Sequence, residues 1–88
     1  MDNTLQFIST QWHHLGAFFA FDSVLLSEAN DVLGAALSDR ESHTVGGLVT
    51  VRLRRIPVVG DAIEESGWLI TVEDANDRSA LRLRLEPA

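Results

Sequence analysis

The chain has 88 residues, 45% of them hydrophobic, no cysteine and a formal net charge of −6. That length specifies one domain, and the apolar content argues against disorder. The lack of thiols excludes a disulfide framework and a thiolate metal site. The acidic balance opposes a general nucleic-acid role, which needs a basic face to displace counterions. The longest nearly apolar run, Leu15 to Phe21, is far short of a membrane span. The first ten residues contain no Lys or Arg to form the basic region of a signal peptide.

Residues 1–9 are ambiguous. Leu5, Ile8, Trp12 and Leu15 would line one face of a helix, whereas Leu5 and Phe7 equally suit a short strand. Residues 10–14 and 17–21 read as a hairpin around Leu15-Gly16, with Phe18 to Phe21 as its inner strand. Asp22-Ser23 ends that strand. A helix follows over 24–34, because Leu25, Leu26, Ala29, Val32 and Leu33 recur at helical spacing. Asp22 or Ser23 supplies its N-cap, and Gly34 suits the position just past its end. Residues 38–42 form a polar loop, and a turn or short helix precedes Gly46.

The stretch from Thr44 to Asp61 is the most distinctive. Gly46-Gly47 marks a turn, a bulge or a crossing too tight for a Cβ. Val49, Val51 and Leu53 then alternate with Thr50, Arg52 and Arg54, which predicts a half-buried strand over 47–56. Pro57 cannot donate to a sheet ladder and closes the strand. Val59-Gly60-Asp61 is a turn. Further strands are expected over 61–65, 68–73 and 79–85, with turns at Gly67 and at Asp74 to Asp77. The predicted core is Leu26, Val32, Leu33, Val49, Val51, Leu53, Ile70, Val72, Leu81 and Leu83.

Candidate sites are few. All seven basic residues are Arg. Arg52 and Arg54 fall on one face of the first predicted strand, and Arg82 and Arg84 on one face of the last. If those strands are neighbours, the four guanidinium groups share a sheet face. That face is either a solvated surface paired with Glu64, Glu65 or Glu73, or a partner surface for carboxylate or phosphate. Asp74, Asn76 and Asp77 could offer oxygens to a divalent cation, although Asx-rich turns also exist for backbone reasons. Asp61, Glu64 and Glu65 form an acidic cluster that reads as solvated surface or a cation contact. His13 and His14 are adjacent, point to opposite faces of a strand, and cannot readily ligate one ion. No nucleophile–base pair is readable, so no catalytic residue and no enzyme class is supported. Trp12, Trp68 and the four Phe read as core or interface.

From about Thr10 to Leu85 the order of features resembles the transporter-associated domain of the CorC/HlyC family. The features are a strand, Asp22, the helix at Leu25-Leu26-Ser27-Glu28, Thr44-Val-Gly-Gly-Leu48, Arg55-Ile-Pro57, Gly60-Asp61, a Gly67-aromatic turn and an Arg-rich last strand. Asp22-Ser23 departs from the Asp-Gly usual in the family, and residues 1–9 lie outside the match, leaving 10–88 as the domain. The resemblance implies an α+β module with a mixed sheet and helices on one side, grouped with flavin-binding folds. It further implies a non-catalytic regulatory or interaction domain of a bacterial membrane transport protein, hemolysin-like or a magnesium/cobalt efflux protein. In such proteins the domain follows membrane and adenosine-nucleotide-type regulatory segments on the cytoplasmic side of the inner membrane. No cofactor is required by that role. The alternative is a small-ligand-binding module for FAD, an adenine nucleotide or a divalent cation, although Gly46-Gly47 lacks a dinucleotide fingerprint and opens no clear helix. The surplus apolar surface of a short acidic chain predicts a homodimer, through a sheet edge or the N-terminal segment.

Overall fold

The rows of one antiparallel sheet organise the molecule. The structure, a computed structural model, describes residues 8–9 and 17–88. The predicted strand over 10–14, the Leu15-Gly16 turn, and His13, His14 and Trp12 lie outside the described residues. In chain order the elements are β1 (Ile8–Ser9), β2 (Phe18–Phe21), α1 (Leu26–Leu33), α2 (Val45–Leu53), β3 (Ala62–Glu65), β4 (Trp68–Ala75) and β5 (Ala80–Pro87). The strand order is β1-β2-β5-β4-β3, and every pairing is antiparallel. The α+β architecture is as expected, but the sheet is not mixed. Tight turns join β3 to β4 and β4 to β5, and a tight turn reverses the chain.

The register stacks apolar side chains across the sheet. Phe18, Leu85, Ile70 and Ile63 face one another in one row, and Ala20, Leu83 and Val72 in the next. Leu85, Ile70, Ala20, Leu83 and Val72 are buried in one cluster with Leu26 and Ala29 of α1 and Val45, Leu48 and Val49 of α2. Because the buried sheet residues share one parity, both helices cover the same face. The other face carries Phe19, Leu69, Thr71, Arg84 and Glu86.

The Ser66-Gly67 turn has φ of +49° and +83°, the backbone of a two-residue hairpin whose twist matches its strands. The β4–β5 hairpin is irregular. Val72 pairs with Leu83, Asp74 with Arg82 and Ala75 with Ala80, so Glu73 and Leu81 are extra residues. The bulge reverses parity beyond it. Ala80 is thereby buried and Leu81, expected in the core, is 36% exposed. Val32, Leu33, Val51 and Leu53 are half-buried rather than fully inside.

Helix α1 ends as expected, with Gly34 at φ +65° and its N–H donating to Asn30 O at 2.8 Å. Its N-cap is Leu25, not Asp22 or Ser23, and the Glu28 carboxylate accepts the Leu25 N–H at 3.0 Å. Asp22 is engaged elsewhere. Its N–H donates to Leu81 O at 3.0 Å, and its carbonyl accepts the Gly46 N–H at 3.0 Å.

The largest departure from the sequence reading is residues 45–53, which form helix α2 rather than a strand. The same apolar residues satisfy both periods: Val45, Leu48, Val49 and Leu53 also fall at helical spacing, and the first three are buried. The Thr44 hydroxyl decides the start by accepting the Gly47 N–H at 3.0 Å. Gly46 is needed for close approach, not for positive φ. A Cβ there would lie 2.5 Å from Asp22 Cβ and 2.9 Å from Asp22 Cα. A Cβ on Gly47 would collide with the Ser42 hydroxyl, whose Oγ accepts the Thr44 N–H at 3.3 Å.

Gly46→Ala should therefore destabilise the fold by about 1–3 kcal/mol, overpacking outweighing the roughly 1 kcal/mol of helix propensity that Ala contributes. Gly47→Ala should cost less, because a serine side chain can rotate while the backbone of Asp22 cannot. Urea unfolding of the two variants checks this; a Gly46→Ala protein as stable as the parent would refute the close contact.

Candidate interaction surface

Arg52 is the centre of an ionic node. It projects from the last turn of α2 and binds two acidic residues from other elements. Its Nη1 donates to Asp39 Oδ1 at 2.6 Å and its Nε to Glu65 Oε1 at 2.5 Å, while Nη2 lies 3.4 Å from Ser38 O. One guanidinium thus ties the α1–α2 loop and β3 to α2. The two carboxylates raise the pKa of Arg52 above its ordinary value, with Glu65 the larger influence. Arg52 and then the Glu41 N–H hold the Asp39 carboxyl below its usual 3.8.

The loop after α2 is a second braced unit. Pro57 is fully buried. Asp61 closes the loop by accepting Arg55 Nη2 on Oδ1 at 2.6 Å and the Val58 N–H on Oδ2 at 2.8 Å. The Asp61 N–H returns to Val58 O at 3.1 Å, with Gly60 at φ +95° as the third residue of the turn. The Gly60 N–H and Val72 O, 2.9 Å apart, anchor the turn to β4. Arg55 and then the Val58 N–H depress the Asp61 pKa below 3.8. This frame leaves Ile56, Val58 and Val59 exposed by 49%, 55% and 61%.

The four arginines read from the sequence do not share a sheet face, because Arg52 lies in α2 and Arg54 caps its end. Arg54 is the C-cap of α2 at φ +60°, and its side chain is exposed. Arg82 is exposed on β5 opposite Phe21 and Asp74. Arg84 lies on the uncovered sheet face, with Nη1 3.2 Å from Glu73 Oε2 and Nε 3.2 Å from Glu86 Oε1. The second contact is a charge contact only, since Nε has no hydrogen-bond acceptor among the described residues. Of the acidic cluster, Asp61 and Glu65 each hold an arginine, and Glu64 is exposed on β3.

The carboxamide and carboxylate oxygens of the last hairpin serve the backbone. Asn76 Oδ1 accepts the N–H groups of Arg78 at 2.8 Å and Ser79 at 2.9 Å, and Asp74 Oδ1 accepts that of Ala75 at 3.0 Å. Asp77 is exposed beside them. Among the described residues no three His, Cys, Asp or Glu side chains gather closely enough to hold a metal ion.

A flavin or nucleotide needs a phosphate cradle, and Gly46-Gly47 does open a helix, contrary to the sequence reading. That helix start is already filled. Val45 N–H donates to Val24 O at 2.9 Å, Gly46 N–H to Asp22 O, Gly47 N–H to the Thr44 hydroxyl, and Leu48 N–H to Thr44 O at 2.9 Å. With its first donors engaged, the α2 N-terminus does not fit a pyrophosphate.

Two clefts flank Asp39. One, of about 560 Å³, is mainly apolar and lies between α1 and the following loop, with Leu25, Leu26, Leu37 and His43 in its lining. The other, of about 610 Å³, is polar and bounded by Asp39, Glu41, Val51, Arg52 and Arg54. The α1 side is shaped by Asn30, whose Nδ2 donates to Leu37 O at 2.9 Å and whose Oδ1 accepts the Leu37 N–H at 2.8 Å. The sequence reading missed Asn30 and Asp39. A carboxamide inside a helix followed by Gly34 hints at such a loop clasp, but nothing local pairs Asp39 with Arg52.

The depressed Asp61 carboxyl sets a pH dependence. Its folded value lies below its unfolded one, so the Arg55 pair stabilises the fold above the ordinary 3.8 and is lost as pH falls through the depressed value. Asp61→Asn should lower stability near neutrality. Its deficit relative to the parent should shrink between about pH 5 and about pH 3. Thermal unfolding across that range checks this, and a deficit that stays constant in acid would mean that the ion pair does not brace the loop.

The sequence profile of the CorC_HlyC transporter associated domain matches residues 22–88. No curated protein matches the chain. Among solved structures, the CorC_HlyC domain of a hemolysin from Xylella fastidiosa Temecula1, in complex with Mg++ and Mn++, is 27% identical. It superposes with a TM-score of 0.80 over 92% of this chain and 96% of that one. A region described as associated with a Mg2+ and Co2+ transporter (CorC) of Neisseria meningitidis MC58 is 26% identical, with a TM-score of 0.78 over 84% of this chain and 91% of that one. The CorC_HlyC domain from Nitrosomonas europaea, at 19% identity and a TM-score of 0.82 over 93% and 96% of the two chains, shares the fold. The profile match across both helices and β2's exit through β5 shows that the chain belongs to the CorC_HlyC family of transporter associated domains.

Proposed function

We infer that this domain is a non-catalytic regulatory module of a larger bacterial membrane transport protein, hemolysin-like or of the divalent-cation efflux kind. It modulates ion movement by contact with the rest of that protein on the cytoplasmic side of the membrane. Among the described residues no helix is long and apolar enough to cross a membrane. The observation that carries the reading is the braced loop at 55–61. Its polar groups are engaged within the chain by Asp61, and its rigid tip presents Ile56, Val58 and Val59 outward. A preorganised apolar tip suits recognition of another protein surface, because little freedom is lost on binding. The association of the Neisseria region with a Mg2+ and Co2+ transporter supports the divalent-cation transporter class for the parent protein.

The test is a chimera. This domain replaces the corresponding one in the Neisseria protein, and Co2+ efflux is followed in inverted vesicles. Flux should respond to Val58→Asp/Val59→Asp in the grafted domain. Identical flux from the chimera, its loop variant and a version lacking the domain would refute a regulatory role.

A second reading, divalent-cation binding, is favoured by the Mg++ and Mn++ complex of the Xylella domain. In this chain Asp74, Asn76 and Asp77 are the candidates. The second Asp74 oxygen and the Asp77 carboxylate remain for a cation beside the turn. Titration with MnCl2 should broaden the amide resonances of residues 74–77 first. Broadening that begins elsewhere, or none at millimolar Mn2+, would exclude this turn.

A further inference from the structure

Strand β3 leaves one edge of the sheet open. It is the outermost strand, and its register with β4 fixes which way its backbone groups point. The Val72 N–H donates to Asp61 O at 2.8 Å, so the Asp61 carbonyl faces β4. Direction alternates along an antiparallel ladder. The backbone groups of Ile63 and Glu65 therefore face β4 as well, and the N–H and C=O of Ala62 and Glu64 face away from it. Those four groups have no hydrogen-bond partner among the described residues, and both residues are exposed.

The two glutamates of the strand differ. Glu65 is held by Arg52. Glu64 is exposed and makes no ion pair among the described residues. Ile63 lies half-buried on the helix-covered face, in the row of Ile70 and Leu85. An extended chain laid along this edge meets free donors and acceptors, with a carboxylate on one face and an apolar side chain on the other. The braced loop that presents Val58 and Val59 runs directly into β3, which puts the apolar tip at the head of the edge.

We propose that β3 accepts an additional strand from the parent protein, an extended segment whose basic side chain pairs with Glu64 and whose apolar neighbour packs beside Ile63. The contact rests on the regulatory reading and names the chemistry of its partner. The charge balance selects the sign. The chain carries a net charge of −6, and cytoplasmic segments that flank membrane spans carry an excess of Lys and Arg. Opposite charges across paired strands favour pairing, and like charges oppose it. A second copy is the poorer occupant for that reason, since its own β3 would bring two more glutamates to the same seam. Four residues of strand supply few backbone bonds, so the contact is weak between separate molecules and strengthens when both parts belong to one protein.

Titration of the whole chain with two short acetylated peptides, followed by amide resonances, tests this. One peptide alternates valine and arginine, and the other alternates valine and glutamate. The arginine peptide should bind with a Kd of about 1 mM or tighter. The largest shifts should fall at Ala62 and Glu64, and those two amides should become protected from solvent exchange. Ala62→Pro removes one outward donor at an edge position that tolerates proline, and should weaken binding about fivefold to tenfold. Glu64→Lys should weaken it about tenfold or more and transfer the preference to the glutamate peptide. Unchanged resonances of β4 and β5 show that each variant is folded. Shifts centred on other residues, no binding at about 5 mM, or equal binding of the two peptides would overturn the proposal. So would an unchanged preference in Glu64→Lys. Concentration-dependent shifts of β3 in the chain alone would overturn it too, by making a second copy the occupant. A flux response to the loop variant in the chimera with no peptide bound at β3 would refute this contact while leaving the regulatory reading intact.

Discussion

The contact between Gly46 and Asp22 is the constraint on which the rest of the molecule hangs. At this point the chain leaving β2 crosses the start of α2, with the Gly46 N–H donating to Asp22 O at 3.0 Å and no room for a Cβ. The crossing extends on both sides. Val45 N–H reaches Val24 O, Leu26 N–H reaches His43 O at 2.7 Å, and Leu25 bridges Thr44. These bonds satisfy both the linker before α1 and the exposed donors of α2. They hold the two helices against each other. The Asp22 N–H, bonded to Leu81 O, then ties the crossing to β5 at its bulge.

Around that crossing, the core and the charges divide the work. Burial of Leu48, Val49, Ile70, Val72, Leu83 and Leu85 drives collapse. The ion pairs do something different. Arg52 and Arg55 are largely solvent-screened, and pairs of that kind contribute little to stability. They set position: Arg52 holds the α1–α2 loop to β3, and Asp61 shapes the loop that carries Ile56, Val58 and Val59. Of the seven arginines, Arg52, Arg55 and Arg84 are held in ion pairs within the chain, and Arg40, Arg54, Arg78 and Arg82 are exposed.

Much of this was legible in the sequence. The Leu25 to Leu33 spacing, Gly34 and the Gly67 turn specify α1 and the β3–β4 hairpin, because each rests on a local preference that no distant contact opposes. The Thr44–Leu48 and Pro57…Gly60-Asp61 signatures carried the family. The candidate site was less legible. Pairing of Arg52 with Asp39 and Glu65 spans 13 residues each way. Asn30 clasps Leu37 through a loop with no regular structure. The position of Leu81 depends on a bulge that changes parity without any local mark.

The sequence by itself determined that this is one acidic α+β domain, that the runs near 18–21, 62–65, 68–73 and 80–85 are extended with a turn at Gly67, and which family it resembles. It could not decide residues 45–53. Val45, Leu48, Val49, Val51 and Leu53 fit a strand by alternation and a helix by their i, i+3, i+4 spacing, while two glycines weaken either. Only the tertiary structure chose. The Thr44 hydroxyl caps a helix, and the space beside Asp22 admits a glycine backbone there but not a side chain. The same choice separated Arg52 and Arg54 from Arg82 and Arg84, because residues two apart share a face on a strand but not on a helix.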